Sequence, residues 1–287
     1  MRARRIVYYV HLSLGLGAGG LIALIGLTGS AIVFGPELDR WLNPHLLTVV
    51  PHGEPISLQA ALMAARQAYP ERHPLLVSVP ESSDKLYMVR MHAEPDQEFF
   101  HQLSLYVDPY TGEIHGSRTR ISHVIGFLER LHIHLLIGQR LAGRAGWYIV
   151  GAAGLLLVLL CITGPWLWWP GRRNVALGLT IKWTASWRRV TFDLHRVSGV
   201  YPLVLLVIVA LTGAAFSFYD YVKPALTRGL YGKAAHEEMP PTSTVRPGAT
   251  PLSLDALALR ADQALPGATT QALILPSRPE AAVHVVK

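Results

Sequence analysis

The chain has 287 residues, of which 51 % are hydrophobic and only 16 % charged, and it carries a formal net charge of +7. A mean hydropathy of +0.29 is unusual for a water-soluble globule and points to membrane-spanning segments. The basic excess lies beside apolar runs, which fits membrane topology and not nucleic-acid binding.

Three runs, Leu12–Phe34, Trp147–Trp169 and Val197–Tyr219, each hold about the 20 apolar residues that cross the hydrocarbon as a helix. The first follows Arg2, Arg4 and Arg5. Its apolar part is too long for a secretory signal and ends at Phe34-Gly35-Pro36-Glu37 without a small-x-small cleavage site, so an uncleaved anchor is expected. At its start stands His11, followed by Gly15 and then Thr28-Gly29. The third run repeats this setting as His195, Gly199 and Thr212-Gly213, at a constant offset of 184 residues. An imidazole at the mouth of a span is costly to keep, so a matched pair reads as two ligands for one shared group. On two packed parallel helices the pair reaches one depth.

Between the first two runs the pattern becomes that of a small α+β domain. Ser57 caps a helix that runs to Tyr69-Pro70, and Leu75–Val79 and Leu86–Met91 read as strands joined by a turn at Pro80–Asp84. Gln102–Val107 is a further strand, and Asp108-Pro109-Tyr110-Thr111-Gly112 before Glu113-Ile114 is hairpin chemistry. A second repeat matches Pro55-x-Ser57-Leu58, Gln67-Ala68-Tyr69-Pro70 and Val79-Pro80 to Pro251-x-Ser253-Leu254, Gln263-Ala264-Leu265-Pro266 and Leu275-Pro276, at an offset of 196 residues. The second copy reaches Lys287 inside the equivalent of the Leu86–Met91 strand. A longer natural protein is therefore expected, continuing through a hairpin into a fourth span.

Arg172, Arg173, Lys182, Arg188 and Arg189 crowd the short loop after the second run, and short basic loops stay cytoplasmic. The N-terminus is then also inside, and Glu37–Arg144 and everything after Tyr221 face outward. Cys161 is the only cysteine and lies within the second run, which excludes disulfides between the outward segments and a Cys-based metal cluster. The chain has no C-x-x-C-H, so any haem is bound by side-chain ligands alone. It also lacks G-x-S-x-G, H-E-x-x-H, a phosphate loop and a dinucleotide fingerprint, so no motif supports hydrolysis or nucleotide binding. Small residues in spans let helices approach closely, which is the reading given to Gly15–Gly20 and to the pairs Thr28-Gly29, Thr163-Gly164 and Thr212-Gly213. Trp166, Trp168 and Trp169 read as interfacial belt residues, and Trp183 with Trp187 as a short helix on the inner leaflet.

The strand followed by Asp108-Pro109-Tyr110-Thr111-Gly112-Glu113-Ile114 resembles the PepSY domain. Together with the His-x3-Gly and Thr-Gly spans, and with Thr163-Gly164-Pro165-Trp166-Leu167-Trp168-Trp169-Pro170, the chain resembles the PepSY-associated transmembrane proteins. These are iron-regulated bacterial inner-membrane proteins that include haem-containing ferric-siderophore reductases. The resemblance implies a membrane α-helical transmembrane bundle, three spans here with a fourth expected, bearing outward α+β PepSY domains. Its parts are a first transmembrane helix at 1–36, a periplasmic PepSY-like domain at 37–125, and a pre-helix with the second transmembrane helix at 126–170. A basic cytoplasmic loop at 171–194, a third transmembrane helix at 195–221 and an incomplete second PepSY-like domain at 222–287 follow.

The resemblance further implies haem b, two groups in the full-length protein, with His11 and His195 on one iron. Two facing imidazoles suit the axial positions of a low-spin haem, with Gly15 and Gly199 clearing room for the macrocycle and Arg188, Arg189 and Arg196 near its propionates. The family register in Leu131-His132-Ile133-His134-Leu135-Leu136-Ile137-Gly138 assigns His132 to an outer haem, with His134 as its neighbour. On a straight helix His132 sits about 22 Å beyond Trp147. Gly138, Gly143 and Gly146 are the places for a bend back. The implied activity is electron transfer from a cytoplasmic donor to a ferric siderophore, with membrane lipid as the surrounding medium and no nucleic-acid partner. Two other readings stand beside it: a conduit serving another reductase, and a non-enzymatic PepSY sensor or protease-regulating module.

Overall fold

A computed structural model describes residues 2–93, 99–138, 143–232, 252–278 and 281–287. Pro251 of the second repeat and His236 lie outside the described residues. The chain begins with α1 (Arg2–Val33), α2 (Gly35–Leu42) and α3 (Leu58–Ala68), then β1 (Pro74–Ser78), β2 (Tyr87–Met91), β3 (Leu103–Val107) and β4 (Ile114–Thr119). Helices α4 (Val124–His134), α5 (Ala145–Trp168), α6 (Trp187–Val200), α7 (Leu203–Ser217) and α8 (Tyr219–Tyr231) follow, and α9 (Leu254–Ala264), β5 (Ala272–Ile274) and β6 (His284–Val286) close the described chain. These elements fall into two compact units, Met1–Ser30 with Leu131–His236 and Ala31–Arg130 with Glu237–Lys287.

The first unit is helical. Helices α1 and α5, of 32 and 24 residues, are long and apolar enough to cross a membrane, and α6 with α7 makes a third crossing only if the pair acts as one bent span. In hydrocarbon the backbone must satisfy its own polar groups, which is why a run as rich in glycine as Gly15–Gly20 is helical here. The third span departs from the straight helix expected over 195–221. Pro202 lacks an N–H and its ring crowds the preceding turn, and the two helices meet at 63° on either side of Tyr201-Pro202. Alone, the 15 residues of α7 rise only about 22 Å, short of a hydrocarbon core of about 30 Å.

The close helix contact is between α5 and α7. A Cβ on Gly154 would lie 3.0 Å from the Ala210 carbonyl oxygen, and one on Gly151 would lie 2.5 Å from Ser217 Cβ. The Trp147 indole N–H donates to the Ser217 carbonyl at 2.7 Å, and Tyr148 stacks on Phe218. By contrast, a Cβ on Gly15, Gly17, Gly19 or Gly20 meets open space, so among the described residues no helix approaches closely at this stretch of α1. Of the expected surface helix around Trp183 and Trp187, only Trp187 is helical, opening α6; both indoles are exposed.

The second unit is one six-stranded antiparallel sheet, ordered β4-β3-β2-β1-β5-β6. The strands, the Ser57 cap and the hairpin fall where the pattern puts them, within a residue or so at most ends. The second copy does not build a sheet of its own. Residues 219–231 are helix α8, while α9, β5 and β6 extend the first copy's sheet. The join is twofold: Val77 pairs with Leu273, its equivalent 196 residues on, so a local dyad passes between β1 and β5. Each copy also caps the other's helix. Asp255 accepts from the Leu58 and Gln59 amides at 2.8 and 3.1 Å, while Gln59 Oε1 accepts from the Leu254 amide at 3.3 Å. Val77, Val89, Met91, Leu105, Val107 and Leu273 form the apolar face, packed with Leu58, Leu62 and Leu254.

At the β3–β4 turn, Asp108 is 4 % exposed and accepts from the amides of Tyr110 and Thr111 at 2.7 and 3.2 Å. His115 Nε2 lies 3.1 Å from its other oxygen, and Gly112 supplies a φ of 76°. Burial works against the Asp108 charge, but the two amides and His115 outweigh it and hold the carboxyl below its ordinary 3.8.

Asp255→Ala is expected to lower the stability of the sheet unit by about 1–2 kcal/mol, and Gln59→Ala by less, in urea denaturation followed by circular dichroism. Equal stability of wild type and Asp255→Ala would count against the reciprocal cap. Because the folded Asp108 carboxyl titrates lower than the unfolded one, its contribution is complete above 3.8 and is lost as pH falls through the folded value. Asp108→Asn should therefore flatten the acid limb of the stability curve; an unchanged limb would refute that assignment.

Candidate functional site

His11 lies two turns into α1, and its Nδ1 is 2.8 Å from Thr163 Oγ1 near the end of α5. The Thr163 hydroxyl proton is committed to the Leu159 carbonyl at 2.8 Å, so the oxygen can only accept. His11 therefore donates from Nδ1–H, and its Nε2 is left with a lone pair. This is the tautomer of a ligating histidine oriented through its other nitrogen. The His195 ring on α6 stands with its centre 6.3 Å from that of His11, at 68° to it. A metal bound at about 2 Å by a nitrogen of each ring separates imidazole centres by about 6 Å. Gly15 and Gly199, one turn along, have open space where a Cβ would stand. The two histidines expected as a pair are thus brought together.

The setting of His195 differs from the expectation of parallel helices. The break at Pro202 separates His195 on α6 from Thr212 on α7, whereas His11 and Thr28 share the unbroken α1. Two of the three expected propionate partners already face a carboxylate, although Arg196 Nε is buried without a hydrogen bond among the described residues. Asp193 is fully buried and pairs with Arg189 and Arg196 at 3.0 Å each, and Arg196 further donates to the Leu177 and Thr180 carbonyls. Of the three arginines, Arg188 alone makes no ion pair among the described residues.

His132 repeats the arrangement at the other end of α1. Its Nδ1 lies 2.9 Å from the Ile25 carbonyl and 3.2 Å from Thr28 Oγ1, and Thr28 donates back to the Leu24 carbonyl at 2.8 Å. Again the Nδ1 proton is held and Nε2 is left with a lone pair. Gly29 makes the fit: a Cβ there would stand 2.7 Å from His132 Cε1. Residues 11 and 28 are about 25 Å apart along a helix rising 1.5 Å per residue, so the two seats lie toward opposite ends of one span.

Helix α4 does not run straight into α5. Leu135 and Leu136 both take left-handed backbone, φ 53° and 59°, where non-glycine residues are strained by about 1–2 kcal/mol each. The bend thus starts at the leucines, ahead of Gly138 and Gly143. Gly146 then abuts the His134 carbonyl, 2.0 Å from where a Cβ would stand. His134 is buried, its ring 5.4 Å from that of Trp147. Of the two neighbours, His132 is held against α1 through Nδ1 and His134 packs beside Trp147.

Thr28 and Thr163, read from the sequence chiefly as helix-packing residues, each meet an imidazole instead. Thr28-Gly29 receives His132 and Thr163-Gly164 receives His11, so the recurring Thr-Gly pair is a seat for an imidazole. The signal was the recurrence itself, at the same depth as a histidine on another span. Among the described residues no group of three or more His, Cys, Asp or Glu is gathered for a bare metal ion.

Residues 8–279 match the family model described as the PepSY-associated TM region. The chain belongs to this family. The match takes in both repeats and all four candidate histidines. No curated protein matches the chain. As a PepSY-associated transmembrane protein it is a membrane protein, mostly helical, with two or three spans and a sheet unit.

Gly29→Ala is expected to displace the His132 ring and to destabilise the helical unit by about 1–3 kcal/mol. Gly26→Ala, whose Cβ meets open space, should be neutral. Denaturation of both variants in micelles checks this; equal stability would show that the seat is not tight.

Proposed function

We propose that this family member is a b-type haem oxidoreductase of the bacterial cytoplasmic membrane, with its N-terminus inside. It carries electrons from a cytoplasmic donor to an outward acceptor, a ferric siderophore. The observation that supports this reading above all is the His11–His195 pair, 6.3 Å between ring centres, with the tautomer of His11 set by Thr163. The donor set fits the group: two neutral imidazoles, open space at Gly15 and Gly199, and no thiolate nearer than Cys161 within α5. A haem b bound there supplies reversible one-electron transfer.

His11 and His195 would hold the iron through their imidazole nitrogens. Thr163 would keep the His11 Nδ1 proton off the ligating side and raise the basicity of Nε2. His132, oriented by Ile25 and Thr28, would hold a second group toward the far end of α1, so that the two seats divide the depth of the membrane. His134 would wall that seat through its contact with Trp147. At the acceptor, reduction of chelated Fe(III) to Fe(II) weakens its binding by hard oxygen donors and releases the metal. In this reading the PepSY-like residues 37–125 face the acceptor side.

His11→Ala and His195→Ala should each lose the low-spin bands of one haem, and Thr163→Val should keep the haem while altering its low-spin electron paramagnetic resonance signal. Full bis-histidine spectra in both alanine variants would overturn the reading. Oxidation of the reduced protein by ferric siderophores, compared with flavoprotein acceptors, separates a reductase from a general conduit.

A further inference from the structure

The face of the sheet opposite the apolar core carries an unusual row. Arg90 on β2 stands across from Ser104 on β3, which stands across from Arg118 on β4. Arg120 follows at the end of β4, so three guanidinium groups line one cavity of about 310 Å³. That volume is at the small end of ligand pockets, far larger than a water. Ser104 is the small residue in the row, and its size leaves the space between its two arginine neighbours open.

Among the described residues two carboxylates answer three cations. Asp39 forms a two-pronged pair with Arg118, one contact at 2.7 Å, and the Arg118 Nε also donates to the Tyr106 hydroxyl at 2.9 Å. Glu129 accepts from Arg120 at 2.5 Å. Among the described residues Arg90 has no such partner, and its Nε is buried without a hydrogen bond. A buried guanidinium donor left unmade is costly, and a positive charge in excess of its neighbours compounds the cost. Burial, and after it the charge of Arg120, pushes the Arg90 guanidinium below its ordinary value. His123, also in the lining, accepts the Gly126 amide at Nδ1 at 3.2 Å, so its neutral ring keeps the proton on Nε2 and adds a donor.

We propose that this cavity is a binding site for an anionic oxygen group, a phosphate ester or carboxylate, held by Arg90 with Ser104, Arg118 and Arg120 around it. The site lies wholly in the sheet unit and uses none of the histidines of the helical unit. It therefore stands independently of the haem reading. Arg90 is the primary ligand because its two fellow arginines are already paired. The twofold repeat does not duplicate the site: the equivalent of Arg90, 196 residues on, is Val286. The chemistry has two sources, a phospholipid headgroup and a soluble phosphate ester or carboxylate.

The test uses the full chain, purified in detergent and stripped of lipid, titrated with inorganic phosphate by calorimetry. Saturable binding is expected, weakened about tenfold or more in Arg90→Gln and in Ser104→Leu, which fills the cavity without touching a charge. Loss of phosphate binding after transfer to phosphatidylglycerol nanodiscs, but not phosphatidylcholine ones, assigns the source to an anionic headgroup; undiminished binding in both assigns it to a soluble ligand. Either result upholds the site. Absence of saturable binding in the stripped wild type, or affinity unchanged in a folded Arg90→Gln or Ser104→Leu protein, overturns it.

Discussion

An imidazole held within the membrane has one N–H that water does not reach, and the arrangement of the helical unit follows from where that proton goes. Helix carbonyls are already engaged, so a free acceptor is scarce. Threonine provides one: its hydroxyl donates back along its own helix and turns its lone pairs outward. Thr163 does this for His11, and Thr28, with the Ile25 carbonyl, for His132. Thr212 bonds in the same way to the Ile208 and Val209 carbonyls. Once the proton is fixed, the opposite nitrogen has no tautomeric choice and keeps its lone pair.

The sheet unit is arranged by a different constraint, the need of a half-size domain to cover its edge and its helix ends. Two copies of one motif meet strand to equivalent strand at Val77 and Leu273, and each lends a side chain to the first turn of the other's helix. Buried amides at a helix start must find acceptors, and exchange between copies satisfies both starts at once. The hairpin at Asp108 relies on the same kind of saving, since one carboxylate closes a turn and anchors His115.

Local features were legible in the chain. The Ser57 cap, the strands ending at Met91 and Val107 and the Asp-Pro–Gly turn depend on a few neighbouring residues, and each forms as those residues direct. The His11–His195 pair was visible because duplication wrote it twice. The seats were not, because Thr163 and His11 lie 152 residues apart, and Thr28 and His132 lie 104 apart, with no shared window. Pro202 stood in plain view, but the apolar run around it concealed that the helix breaks there. The turn at Leu135-Leu136 was illegible for the opposite reason: leucine has no preference for left-handed backbone, and only tertiary packing holds it there. The engagement of Arg189 and Arg196 was readable from their spacing to Asp193, four and three residues.

Duplication gave the sheet a backbone that looks alike from either side of its dyad, yet the charges obey no such symmetry. Where one half sets Arg90, the other sets Val286, on a strand of three residues at the margin. Selection can then act on the halves separately. The second half answers mainly for keeping β1 and α3 in place, and substitutions on its outer strand should be tolerated wherever packing survives. The first half carries polar residues whose replacement would leave the architecture standing and still alter what the protein recognises.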